Sequence, residues 1–318
     1  MGWPIHAYGS PDMADVTIAD DKTAWEARVE RLWATRPSRW RDAWWELSRN
    51  KLALGGAVIV AFFTLVAIFG PMLAPYDYAN QVLSDVLLPP FTGGHVFGTD
   101  ELGRDVLSRL LLGIRISMAV GLGTTAIALV IGTVAGMLAG YYRGWVDRVL
   151  NGFVELVWGF PLILIAVLLI GAIGPGLTGV IIAVGFVNWA GFARIVRGEV
   201  FALREKEFVA AARALGKGDL EIMVRHLLPN VVGSALVMGS YYIAIAIIAE
   251  AGLSFIGMGA QPPLPSLGQM INEGSGYMLL NHWLSTIPGV VIVLLVLGLN
   301  VLGDGLRDVL DPRLKGQG

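Results

Sequence analysis

Leu156 to Ala193 reads LVWGFPLILIAVLLIGAIGPGLTGVIIAVGFVNWAGFA, 38 residues without a single charge. One helix crosses the hydrocarbon core of a bilayer with about 20 apolar residues, so this run is too long for one span and about right for two. Gly174-Pro175-Gly176 sits at its middle, where proline removes a backbone donor and glycine permits a tight turn. The stretch therefore predicts a helical hairpin inside a membrane. On either side lie further uncharged runs. Leu52–Ala74 and Ile116–Tyr142 supply two spans before the hairpin. Val231–Phe255, interrupted only by Glu250, and Trp283–Gly303 supply two after it, for six in all.

The composition agrees with that reading. Hydrophobic residues make up 55% of the 318-residue chain and charged residues only 15%, whereas soluble domains carry about 25% charge. A net charge of −2 gives no basic field for nucleic acid. The absence of cysteine excludes disulfides, thiolate metal sites and a cysteine nucleophile. Lysine and arginine fix the expected direction, because loops rich in them stay cytoplasmic. Residues 1–51, the 143–151 and 194–230 loops and the tail hold 20 of them; the opposite side holds Arg104, Arg109 and Arg115. The expectation is an all-α polytopic membrane protein of six transmembrane helices with both termini cytoplasmic. Its parts are a tail over 1–51, a first helix and outer (periplasmic) loop over 52–115, a five-helix core over 116–304 and a tail over 305–318. From Trp25 to Lys51 tryptophan and arginine interleave, which suits a helix in the bilayer interface or an ordinary solvated amphipathic helix.

The most patterned hydrophilic segment is Arg194–Asn230. Phe208, Ala211, Ala212 and Leu215 recur at helical spacing, and Gly216 follows as a left-handed stop. Asp219 is placed to cap a second helix ending at Pro229. The result is a helix–turn–helix bracket with small residues at its tip. A knob without bulky side chains suits a groove on another protein.

Here the chain resembles a family. Ala210-Ala211-Ala212, then Gly216, then His226 and Leu228-Pro229 are similar to the E-A-A loop of permease subunits of bacterial ATP-binding-cassette importers. Four further motifs resemble the second, C-type subunit of the oligopeptide and dipeptide branch: His95-Val-Phe-Gly-Thr-Asp-Glu-Leu-Gly-Arg-Asp105, Gly140-Tyr-Tyr-Arg-Gly-Trp-Val-Asp147-Arg148, Leu253-Ser-Phe-Ile-Gly-Met-Gly and Leu302-Gly-Asp-Gly-Leu-Arg-Asp308. The family's first loop glutamate is Ala210 here. The resemblance implies the type I importer permease fold. It implies a homologous permease as partner, two cytoplasmic ATPases gripping the loop, and a periplasmic or lipid-anchored substrate-binding protein. ATP and Mg2+ would sit on those partners, with no cofactor on this chain. Coupling would rest on Glu207, Ala210, Ala211, Ala212, Arg213, Leu215, Gly216, His226, Leu228 and Pro229.

Other features leave alternatives open. Asp100, Glu101, Arg104 and Asp105 form either an internal salt-bridge cluster or a docking surface for the binding protein, with Thr99 or Asp100 capping a helix through Arg115. The Gly- and Pro-rich 257–282 segment, charged only at Glu273, is placed to dip toward the membrane as an outer gate. Glu250 is a pathway or gate residue, or a structural pair. Asn188 belongs with it or serves, like Asn300, as hydrogen-bond glue between helices. Gly132, Gly136 and Gly140 line one helix face and predict tight helix contact, within the chain or between subunits. A proton-coupled carrier built on Glu250 predicts matching broken helices in two halves, and no such repeat is present. A hydrolase lacks a base, since His6, His95, His226 and His282 all fall in loops or tails. No G-x-x-x-x-G-K-[ST] occurs, so the chain cannot cradle nucleotide phosphates in that way.

Overall fold

The computed structural model describes residues 50–310. They form nine helices: α1 (Lys51–Leu73), α2 (Val106–Tyr142), α3 (Gly144–Trp158), α4 (Leu162–Ile173), α5 (Leu177–Leu203), α6 (Glu207–Ala214), α7 (Asp219–Phe255), α8 (Leu267–Ser275) and α9 (Trp283–Leu310). Among the described residues there is no strand beyond two isolated bridges, Thr92–His95 and Thr99–Asp105. The interfacial helix expected over Trp25–Lys51 falls almost wholly outside the described residues. Of its last two positions Lys51 opens α1, and Asn50 caps that helix by accepting from the Leu52 and Ala53 amides.

Five helices are long and apolar enough to cross a membrane, and a sixth crossing exists if α3 and α4 count as one broken span. The third expected span is the one corrected. At Gly159-Phe160-Pro161 the chain bends by 96° between α3 and α4. Proline has no amide hydrogen to offer and disfavours helix at the residue before it. With 12 residues α4 is about 18 Å long, short of the ~30 Å hydrocarbon core. The hairpin turn itself is where the sequence puts it, with Gly174 and Gly176 both at positive φ between α4 and α5.

The second span starts earlier than expected. α2 begins at Val106, so residues 106–115 belong to the helix and not to the outer loop. Its cap is Asp105, which accepts from the Ser108 amide at 2.7 Å, rather than Thr99 or Asp100. Farther along, the Gly132, Gly136 and Gly140 face lies against α5. A methyl on Gly136 would sit 2.6 Å from the Ala193 carbonyl oxygen and 2.8 Å from the Val196 Cβ. The glycine seam is thus an intramolecular contact, the closest way to join two helices when lipid supplies no hydrophobic pressure. α9 packs on α1 and α7, while α8 tucks Leu267 and Met270 into the core beside Ile247 and Leu284.

One further expectation fails at Pro229, which does not end the bracket's second helix. α7 runs unbroken from Asp219 to Phe255. Ile222–Leu227 is a π-helical turn, and Pro229 stands in the first turn of the α-helical part that follows. The wider turn changes the hydrogen-bond register just where proline has no amide to give.

Candidate functional site

The bracket grows directly from two long helices. α5 ends at Leu203, α6 follows from Glu207, and α7 leads back into the fifth span. Gly216 turns the chain at φ +77°. Its amide donates to the Arg213 carbonyl at 2.9 Å and the Lys217 amide to the Ala212 carbonyl at 3.1 Å. This is the Schellman pattern, which closes a helix end and needs a residue at ease with positive φ. Asp219 is not a cap. It is the first residue of α7, and its carboxylate accepts from the Tyr141 hydroxyl at 2.6 Å.

Inside the bracket, Val209, Ala212, Ile222, Met223 and Leu227 are buried with Met137 and Tyr141 of α2 and Val196 and Val200 of α5. Ala212 therefore faces inward. Glu207, Ala210, Ala211, Arg213 and Leu215 face outward, and Leu215 and Leu220 leave an apolar tip at the turn. Leu228 is half-buried and Pro229 exposed; His226 is half-buried, and its Nε2 finds no partner among the described residues.

Charges lock the base of the bracket to its neighbours. Arg204 donates to the Tyr141 carbonyl, Arg143 pairs with Glu205 at 2.6 Å, and Arg197 pairs with Asp147. Glu221 receives both Lys217 and Arg225. The bracket is thus tied to the C-terminal end of α2 chiefly through Tyr141, over whose ring Arg213 lies at 5.3 Å. Sequence reading passed over Tyr141 as a contact, although the Gly140-Tyr-Tyr-Arg motif drew attention to that place.

At the other end of the molecule the acidic and basic residues of the outer loop resolve into a buried network. Asp100 (5% exposed), Arg104 (4%) and Asp105 (2%) are enclosed, which removes them from any docking surface. Arg104 bonds Asp100 at 2.7 Å and Glu101 at 3.0 Å. Glu273 of α8 receives Arg109 at 2.7 Å and Arg104 at 3.3 Å, joining the outer loop, α2 and α8. Burial holds the Glu273 carboxyl above its ordinary value, and the pull of Arg109 and Arg104 offsets only part of that. His95 Nδ1 lies 2.8 Å from Asp105, and the Tyr76 ring stacks on the imidazole. Arg109 and Glu273 are the members sequence reading did not place in a site; the lone charge in the 257–282 segment was the available signal.

Glu250 is fully buried and accepts hydroxyl hydrogen bonds from Ser117 at 2.9 Å and Ser254 at 2.6 Å. No cation pairs with it among the described residues, so it joins α2 to α7 through hydroxyls and not through an ion pair. Asn188 is buried, and neither its amide nitrogen nor the Asn300 carbonyl oxygen finds a hydrogen-bond partner among the described residues. The expected interhelical hydrogen bonds of these two residues are not present among the described residues. Asp100, Glu101 and Glu273 bring carboxylate oxygens within 4.8 Å of one another, but the two guanidinium groups already occupy the space a cation would need.

Comparison with known proteins gives a consistent result. Residues 132–316 match the model for the binding-protein-dependent transport system inner membrane component, and residues 38–90 match the N-terminal TM domain of oligopeptide transport permease C. The dipeptide transport system permease protein DppC of Alkalihalophilus pseudofirmus is 40% identical over 281 residues, covering 88% of this chain and 92% of that one. The glutathione transport system permease protein GsiD of Escherichia coli is 42% identical over 277 residues, covering 87% and 91%. Among solved structures, an inward-facing form of the MetNI methionine ABC transporter superposes with a TM-score of 0.53 at 23% identity. It covers 64% of this chain and 97% of that chain, a likeness of fold.

Proposed function

The chain belongs to the family of binding-protein-dependent transport system inner membrane components, and from that premise we propose that its bracket is the lever through which partner ATPases drive peptide import. It is a multi-pass permease subunit of an ATP-binding-cassette importer in the bacterial inner membrane. With a homologous permease it forms the translocation path. The solutes are short peptides or peptide-like molecules, a class supported by the dipeptide and glutathione permeases among its relatives. The ATP-binding subunits and the solute-binding protein are separate chains, and both termini face the ATPase side.

The single observation that carries the coupling role is continuity. α6 and the start of α7 form one stiff bracket whose two legs extend as α5 and α7 into the membrane. A push on the tip moves two spans together, because the Schellman turn, the buried Val209–Leu227 cluster and the Tyr141–Asp219 bond leave no slack. That is the requirement for rocking one bundle against another. Reconstitution of the permease pair, its ATPases and the binding protein in liposomes tests the function. Peptide uptake should require ATP on the bracket side, and uptake without nucleotide would refute it.

Two variants test the lever. Gly216→Val places a β-branched residue at φ +77°, where an L side chain is strained by roughly 1–2 kcal/mol. Uptake should fall at least about tenfold while ATP hydrolysis continues, the difference being read as moles of peptide per ATP; an unchanged ratio would count against the lever. Ala211→Trp should cut the ATPase that co-purifies, since Ala211 is exposed on the outward face. Ala212→Trp is the contrasting control, because that residue is buried and its replacement disturbs the bracket itself. Full ATPase retention by Ala211→Trp would move the docking face elsewhere.

A further inference from the structure

Tyr241 stands ten residues after Val231 and fourteen before Phe255, well inside the uncharged run of α7. Those separations correspond to about 15 Å and 21 Å of helix. Yet Tyr241 is 50% exposed, and its hydroxyl makes no hydrogen bond among the described residues. The other exposed hydroxyls of the uncharged runs, Tyr142, Thr178 and Thr286, all lie within four residues of a run's end or of the hairpin turn, where water or headgroups can reach them. Tyr241 has no such outlet. A hydroxyl left bare in hydrocarbon is costly, so this face of α7 is not one that lipid covers.

The rotation of α7 is fixed by its neighbours. Tyr242 turns inward, its ring 4.5 Å from that of Phe192 and its hydroxyl against Gly191. Ser240 packs against Gly303 of α9. Tyr241 is left on a stripe of α7 that no other described helix covers, in line with Ile248 and Phe255 at seven-residue steps. α7 packs on α2, α5, α8 and α9, and of the exposed positions in its uncharged run (Val232, Leu236, Tyr241, Ile248 and Phe255) only Tyr241 offers a hydroxyl, so its stripe is the side on which a path for a polar solute can open.

Resting on the permease reading above, we propose that Tyr241 lines the solute path and contacts the passing peptide. A phenol hydroxyl donates and accepts one class of bond each, matching the carbonyl and amide of any peptide unit. The ring adds a flat surface for apolar side chains, and neither group discriminates by charge. Such a contact suits passage of many sequences rather than tight capture of one.

The chain contains no cysteine, which makes the test direct. Tyr241→Cys and Ile248→Cys are each introduced into the complete transporter in proteoliposomes, with Leu168→Cys on α4, an aliphatic position 74% exposed and off the stripe, as the comparison. A negatively charged, membrane-impermeant methanethiosulfonate is applied, and label is read on this chain alone. Tyr241→Cys and Ile248→Cys should react at least about tenfold faster than Leu168→Cys. A saturating dipeptide with its binding protein and ATP should slow labelling of Tyr241→Cys severalfold. Absence of labelling at both stripe positions, in complexes that still transport, would overturn the proposal by placing the stripe against lipid or in a sealed subunit contact. Labelling that dipeptide leaves unchanged would overturn the solute contact. ATP-driven uptake by the wild-type complex is measured alongside, so its failure would strike the permease reading and not the placement of Tyr241.

Discussion

Gly136→Ala is expected to destabilise the permease severely, whereas Gly123→Ala on the same helix is expected to be tolerated. The chemistry of the two changes is identical and both lie in α2, so helix propensity cancels. The surroundings differ. A methyl on Gly136 would lie 2.6 Å from a carbonyl oxygen of α5 and 2.8 Å from the Val196 Cβ, while at Gly123 the nearest atom is 3.5 Å away on the Ile181 side chain. The first contact is with backbone and with a Cβ, neither of which can swing aside, so the helices must separate along the whole seam from Gly132 to Gly140. Overpacking a tight core costs about 1–3 kcal/mol or more. The cost here belongs at the upper end, because three glycine contacts loosen at once. Thermal unfolding of the purified variants in one detergent measures it. Equal midpoints for Gly136→Ala and Gly123→Ala would show that the seam is not close-packed.

Arg109→Met is expected to cost about 3–5 kcal/mol, the scale for removing one partner of a buried ion pair. Arg109 is 1% exposed and joins α2 to Glu273 of α8 and to Asp100. The network holds three carboxylates (Asp100, Glu101, Glu273) against two guanidinium groups, so losing Arg109 leaves three negative charges facing Arg104 alone. Glu273→Gln should be much milder, because it removes the surplus charge. The pH dependence gives a second readout. Glu273 has a folded value raised above its unfolded one. It binds more proton when folded, so its contribution to stability is greatest below both values and is lost as pH rises from the unfolded value through the folded one. Without Arg109 the carboxyl is pushed higher still, so the Arg109→Met defect should be partly recovered on mild acidification. Unfolding in mixed micelles titrated with sodium dodecyl sulfate, at neutral and mildly acidic pH, measures both. A pH-independent loss equal to that of Glu273→Gln would remove the charge argument.

Much of the candidate site was legible in the sequence because it depends on local grammar. The left-handed stop at Gly216 and the hairpin at Gly174–Gly176 follow from what glycine and proline permit at one place in the chain. Facing was less legible. Ala211 and Ala212 are adjacent and chemically identical, yet one is exposed and the other buried, because helical rotation turns Ala212 toward Met137, Val196 and Leu227. The outer charges were ambiguous for a similar reason. Asp100 and Arg104 have the spacing of a solvated pair, and only the arrival of Glu273, 169 positions from Arg104, makes them interior.

The amino-acid sequence by itself determined that this chain lives in a membrane, how many apolar runs it carries, where the hairpin turns and where the helix–turn–helix bracket lies. These follow from length, charge and backbone chemistry, which act over a few residues at a time. Tertiary structure alone decided that α3 and α4 are set at 96°, that α7 continues through Pro229, that Glu250 answers to two serines and that Tyr241 is left uncovered. Each of these depends on which distant helix lies alongside, and in lipid that choice rests on close fit and polar pairing between surfaces the linear chain does not bring together.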